Sequence, residues 1–283
     1  MMSAAPLRVL SHLLRAVGNV ALETAAPVFD LMVPKQGYAV RRDLVYGSDP
    51  RQRLDLYVPD ELSASATVLL YFYGGSWQSG SKNIYGALGQ VFASAGIITA
   101  VADYRLCPQV KYPDFVHDGA AALRFLHEQI GGHGGDPARI FVSGHSAGAY
   151  IAALMACDPT YLGAARTELI RGALGIAGPY DFLPLYDPVL IDIFGGDRVT
   201  ATQPIKYAGN RAPPMFLAHG TVDKTIGAGN SRRMAARLRA AGNEVELIEF
   251  PGMGHLGLVL SLAHGFRHTT TLYGDMLRFI RAH

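Results

Sequence analysis

Two cysteines in 283 residues, Cys107 and Cys157, are too few for a disulfide framework. They read as two buried thiols of a reducing compartment, so the expected location is cytoplasmic. No Cys-x-x-Cys and no His-Glu-x-x-His is present to hold a metal. Neither a metal nor a dinucleotide cofactor is expected. The formal charge is only +2, with a sequence pI near 8.5 and no basic cluster, which argues against nucleic acid as a partner. No apolar run reaches the length of a transmembrane helix.

What is present is apolar residues, 49% of the chain, enough for one domain at the upper end of single-core size. Leu7, Leu10, Leu13, Leu14 and Val17 recur at helical spacing. Arg15 and Asn19 interrupt any signal-like apolar run, so residues 1–38 are expected to form an amphipathic helical segment that packs on the body or near the site. Peripheral membrane contact through that helix is the alternative. Residues 39–283 form the expected catalytic domain. Ala39 to Tyr46 and Arg53 to Val58 read as a hairpin. From Thr67 onward strands alternate with helices, which predicts an α/β fold: a mostly parallel sheet with helices on both faces. The glycine-rich stretch Gly131 to Gly135 precedes a strand, so it reads as a structural loop rather than a phosphate cradle. Residues 179–211 break the alternation and are rich in Tyr, Leu, Pro and Phe, as a small cap insertion would be.

Chemistry concentrates where strands end. Arg139 to Ser143 is a strand-like run, and Ala149 to Met155 reads as a buried helix. Between them stands Gly144-His145-Ser146-Ala147-Gly148, and strand, G-x-S-x-G, helix is the context of a nucleophile elbow. A serine hydroxyl needs a base, an orienting acid and preset donors for an oxyanion. The N–H of Ala147, the residue after the nucleophile, is one such donor. The apolar strand Thr67 to Tyr73 ends in Gly74-Gly75-Ser76-Trp77, a loop type that adds others. Asp223 follows the strand Pro213 to Gly220, and His255 follows the strand Val245 to Phe250. Both lie past the carboxyl ends of strands, where open α/β sheets build their sites. His145 sits beside Ser146 but points off the turn, and His219 reads as structural; Asp181 is a second choice for the acid. Trp77, Tyr180 and Phe182, with Leu183, Leu185 and Tyr186, are expected to form an apolar pocket for short to medium acyl groups.

Leu54 to Pro59, Tyr73 to Trp77, Asp103-Tyr104-Arg105-Leu106, Gly135-Asp136-Pro137, the elbow, His219 to Asp223 and Gly254-His255 together resemble the α/β-hydrolase esterases. The group is that of the hormone-sensitive-lipase-like and acetyl- or feruloyl-esterase-like enzymes, which includes the kynurenine formamidases. The resemblance implies an α/β-hydrolase fold and Ser146 as nucleophile, His255 as base and Asp223 as orienter. It implies an oxyanion hole from the N–H groups of Gly75, Ser76 and Ala147, and structural roles for Asp103 and Arg105. The chain departs from the group where the glycine motif usually starts with His, here Tyr73, and at its third glycine, here Ser76. It departs again at Cys107-Pro108-Gln109, usually Ala-Pro-Glu. The implied activity is carboxylic ester hydrolysis of a small-molecule substrate without a cofactor, with a homodimer possible. Formamide hydrolysis and a non-catalytic binding role in the same pocket stand as alternatives.

Overall fold

The runs of β-branched and aromatic residues become strands in the computed structural model, which describes residues 36–63 and 65–283. The helical segment expected over residues 1–38 lies outside the described residues except at its end, where Tyr38 already opens the first strand. The strands are β1 (Tyr38–Val45), β2 (Arg53–Pro59), β3 (Ala66–Phe72) and β4 (Ile98–Ala102), followed by β5 (Gly135–His145), β6 (Gly172–Ile176), β7 (Met215–Gly220) and β8 (Val245–Phe250). Among the described residues these eight form one sheet in the order β1-β2-β4-β3-β5-β6-β7-β8. The pairings of β1 with β2 and of β2 with β4 are antiparallel, and the others are parallel. Strands β3 and β4 are buried almost throughout, which is why they read as continuous apolar runs without alternation.

The principal helices are α1 (Gly86–Ala93), α2 (Asp114–Gln129), α3 (Ala147–Cys157), α4 (Pro188–Phe194), α5 (Gly229–Ala240), α6 (His255–Leu260) and α7 (Leu272–Ala282). In α7 the buried residues Leu272, Met276, Leu277, Phe279 and Ile280 fall on one stripe, as a helix covering a sheet requires. Helix α3 is different: every residue from Ala147 to Cys157 is buried. Its small side chains let it sink between its neighbours.

The stretch from Gly131 to Pro137 is not all loop. Ile130–His133 forms a 3-10 turn, and β5 begins at Gly135, which pairs with Ala66 ahead of a register shift. One isolated pairing of this kind leaves no periodic signal in the sequence. Residues 179–211 contain α4, a 3-10 turn at Thr200–Thr202 and a single helical turn at Pro204–Tyr207. This segment is tied to the body by Tyr112 N–H to the Ile193 carbonyl at 3.0 Å and by the Tyr150 hydroxyl to the Thr202 carbonyl at 2.5 Å. Among the described residues no helix is long and apolar enough to cross a membrane.

Candidate active site

Register brings the site together. Phe72 at the end of β3 pairs with Gly144 of β5, so the loop after β3 and the turn after β5 leave the sheet side by side. Strand β5 ends at His145 and α3 starts at Ala147, leaving Ser146 to make the whole turn with φ 54° and ψ −119°. Such a conformation costs on the order of 1–3 kcal/mol and persists only where the surroundings fix it. The glycines explain the fixing. A Cβ at Gly148 would lie 2.0 Å from the Phe72 carbonyl oxygen, and one at Gly144 would lie 2.3 Å from the Gly148 carbonyl carbon. The Ser146 N–H donates to the Ile176 carbonyl at 2.9 Å and holds the turn on β6.

The loop after β3 also runs through unusual backbone, with φ of 142° at Gly75, 52° at Ser76 and 61° at Trp77. The N–H groups of Gln78 and Ser79 both donate to the Gly75 carbonyl at 3.0 Å, closing the loop on itself. Among the described residues, no hydrogen bond takes up the N–H of Gly75, Ser76 or Ala147. Ala147 stands at the first position of α3, where the helix dipole adds partial positive charge.

Tyr73 holds this loop from behind. Its hydroxyl donates to Asp103 Oδ1 at 2.7 Å and accepts from Arg51 Nη2 at 2.7 Å. The same Arg51 nitrogen donates to the Gly80 carbonyl at 2.9 Å, so one guanidinium grips both ends of the loop. The Lys82 N–H donates to Asp103 Oδ1 at 2.7 Å, and Lys82 Nζ reaches Asp55 at 2.7 Å. Burial pushes the Tyr73 phenol far above its ordinary pKa, so it stays a neutral donor. Asp103 thus contacts the loop directly, whereas Arg105 pairs with Asp118 at 2.7 Å.

On the other side, Asp223 Oδ2 accepts from His255 Nδ1 at 2.7 Å. A carboxylate only accepts, so Nδ1 carries the proton and Nε2 is left as the basic nitrogen. Asp223 Oδ1 accepts the N–H groups of Thr225 and Ile226, both at 2.9 Å. His219 Nε2 lies 3.3 Å from Oδ2 and also donates to the Ile226 carbonyl at 2.8 Å. Burial alone would raise the Asp223 pKa, but the hydrogen bonds from His219 and His255 outweigh it and hold the carboxyl well below the usual range. The contact of His219 with Asp223 was not readable in the sequence beyond their four-residue spacing. Asp181 is drawn elsewhere, into an ion pair with Arg233.

Ser146 and His255 line one cavity of about 340 Å³, with Gly74, Gly75, Ser76 and His145 beside them. Its remaining walls include Gln78, Ile84, Tyr85, Thr225 and Leu256, and among the described residues no Asp, Glu, Lys or Arg lines it. Trp77, Tyr180 and Phe182, expected as pocket wall, are not among the described residues that line this cavity. Trp77 is 3% exposed, edge-on to Tyr150 and Phe194 at 5.1 and 4.9 Å and stacked on Phe182 at 6.2 Å. Tyr180 is wholly buried against Gly175 and Gly178. Large aromatic rings gain most by core burial, and residue type alone does not separate that role from substrate contact. Cys157 is buried, which raises its thiol to about 12, while Cys107 is only half-buried; neither pairs. Among the described residues no group of three or more His, Cys, Asp or Glu could hold a metal.

A serine on a strained turn, an imidazole whose far nitrogen is bonded to a carboxylate, and free backbone donors form a set able to carry out acyl transfer. Comparison with known proteins points the same way. Residues 54–184 match the family model described as BD-FAE, and residues 192–283 match that of the prolyl oligopeptidase family. The isoprenylcysteine alpha-carbonyl methylesterase of Arabidopsis thaliana is 33% identical over 78% of this chain and 57% of its own length. Esterase LipC of Mycobacterium tuberculosis is 31% identical over 77% of this chain and 60% of its own. The chain therefore spans somewhat more than half the length of these relatives. The apo form of Thermogutta terrifontis esterase 2 superposes with a TM-score of 0.70 at 27% identity, over 87% of this chain and 96% of that one. An inhibited esterase B from Lactobacillus rhamnosis shares the fold, with a TM-score of 0.78 at 21% identity over 93% and 94% of the two chains.

Proposed function

Because the chain belongs to the esterase group of the α/β-hydrolase fold, we propose that it hydrolyses small, uncharged carboxylic esters through an acyl-enzyme on Ser146. The observation that carries this reading is the strained serine of the elbow, Ser146, beside backbone N–H groups that no hydrogen bond among the described residues takes up. In the proposed sequence Ser146 Oγ attacks the ester carbonyl while His255 Nε2 takes its proton. Asp223 stabilises the imidazolium, and the N–H groups of Gly75, Ser76 and Ala147 receive the negative oxygen. Collapse breaks the bond to the alcohol, which leaves with the proton from His255. Water then attacks the acyl carbon, giving its proton to His255, and collapse frees the acid and Ser146.

The size of the cavity favours short to medium acyl groups, and the lack of formal charge among the described residues that line it favours a neutral ester over an acidic one. The methylesterase relatives give a reason to include small alcohols as well as small acids in the assay. The test is a panel of p-nitrophenyl acetate, butyrate and laurate, aliphatic methyl esters and N-formylkynurenine. Turnover is expected to be highest on the short esters, and Ser146→Ala is expected to reduce kcat by roughly 10⁴-fold or more. Ester turnover that survives in Ser146→Ala overturns the acyl-enzyme. Preference for N-formylkynurenine over every ester overturns the ester reading.

A further inference from the structure

His145 has no part in the acyl-transfer sequence, yet it is placed with more restraint than a bystander needs. It is 1% exposed, and its ring lies 4.7 Å from that of His255. Its Nε2 is 3.2 Å from the His255 main-chain carbonyl oxygen. A carbonyl can only accept, so Nε2 carries the proton and Nδ1 is a bare lone pair. That Nδ1 is buried with no hydrogen-bond partner among the described residues, and it faces Gly74: a Cβ built there would stand 2.9 Å from it. One imidazole therefore touches the backbone and ring of His255 on one side and the first glycine of the donor loop on the other, from a position adjacent to Ser146. Leaving a buried acceptor unsatisfied costs on the order of 1–3 kcal/mol, which an apolar ring of similar size would avoid. Burial, with His255 alongside, holds His145 well below the usual imidazole pKa, so it stays neutral next to a group that must become a cation.

The geometry points to His145 as a positioning residue that sets the distance between the base and the oxyanion loop through its hydrogen bond to the His255 carbonyl. This inference rests on the proposed esterase reading and adds one role to it. Misplacement of a base by a fraction of an ångström lowers the rate of the chemical step while leaving ground-state binding in place. The signature is thus a fall in kcat with KM nearly unchanged, and its rescue by a side chain that keeps the donor.

The experiment measures p-nitrophenyl butyrate turnover, and the rate at which a fluorophosphonate labels Ser146, for wild type and three variants checked by thermal melting. His145→Phe keeps the ring and loses the N–H; kcat and the labelling rate are expected to fall about tenfold, with KM within twofold. His145→Asn, whose amide is too short to reach the carbonyl, is expected to fall equally and serves if the Phe variant does not fold. His145→Gln places an N–H near the position of Nε2 and is expected to stay within about threefold of wild type. Unchanged kcat in the Phe and Asn variants, or a Gln variant as slow as they are, overturns the positioning role while leaving the esterase intact. Wild-type protein that neither turns over the ester nor takes the label overturns the esterase reading and this inference together.

Discussion

The elbow around Ser146 and the loop from Tyr73 to Lys82 face the same cavity and both run through positive φ, but they are held by opposite means. The elbow is fixed by contact. Gly144, Gly148 and the carbonyl of Phe72 approach so closely that no side chain fits between them, and nothing charged takes part. The loop is fixed by polar reach. Arg51, Asp55 and Asp103 arrive from other segments and tie its two ends through hydrogen bonds of 2.7–2.9 Å. A steric restraint fails all at once when a single atom is added. A polar network loses one bond at a time and answers to pH. The comparison suggests why the nucleophile stands on the first kind of support and two of the backbone donors on the second.

The largest effect expected from this contrast is at Gly148. Gly148→Ala puts a methyl 2.0 Å from the Phe72 carbonyl, so strand and helix must part. A stability loss of about 3 kcal/mol or more is expected, read as a lowered denaturant midpoint, with Ser146 displaced and activity lost. A variant as stable and active as wild type would show that the elbow is not sterically fixed.

Polar support of the base should show itself through pH. Hydrogen bonds hold the Asp223 carboxyl below its unfolded value of about 3.9. A depressed folded pKa gives stability that is present above the unfolded value and is lost as pH falls through the folded one. Wild type should therefore lose thermal stability on acidification below about pH 4, and Asp223→Asn should flatten that part of the curve. Parallel acid limbs for the two proteins would contradict this assignment.

The smallest effects belong to the loop. Tyr73→Phe removes one hydrogen bond to Asp103 and one from Arg51 but leaves Lys82 and Gly80 tied. A loss on the order of 1 kcal/mol is expected, a several-fold fall in kcat. Ser76→Gly relieves a side chain held at φ 52° and should leave activity intact with equal or higher stability. A collapse of kcat in a folded Tyr73→Phe enzyme would mean that the phenol itself meets the developing charge.

The same contrast explains what could be read from the residues alone. The elbow is local: glycines two positions either side of a serine, a strand before and a helix after, all within one short stretch. The sheet was legible for a related reason, since buried strands such as β3 are unbroken apolar runs. The network was not, because Arg51 and Asp103 stand 22 and 30 residues from Tyr73 and no short motif records such partners. Asp223 and His255 could be placed by their position after β7 and β8, but the 3.3 Å contact of His219 with the same carboxylate needs the loop through Thr225 and Ile226 to curl back. The aromatic residues are ambiguous as pocket markers because hydrophobicity says that Trp77, Tyr180 and Phe182 are covered without saying by what. In the structure Trp77 and Tyr180 are core, and the cavity wall falls instead to Ile84, Tyr85 and Leu256.

The central claim is that Ser146 is the activated nucleophile of this cavity, and covalent labelling tests it most directly. Wild-type protein is treated with a fluorophosphonate at neutral pH, weighed intact, digested and mapped by mass spectrometry. The account predicts one adduct per chain, on the peptide carrying Ser146. It also predicts no adduct in Ser146→Ala and labelling slowed by orders of magnitude in His255→Ala. An adduct on Ser76 or Ser79 of the neighbouring loop, or a Ser146→Ala protein labelled as fast as wild type, would contradict it.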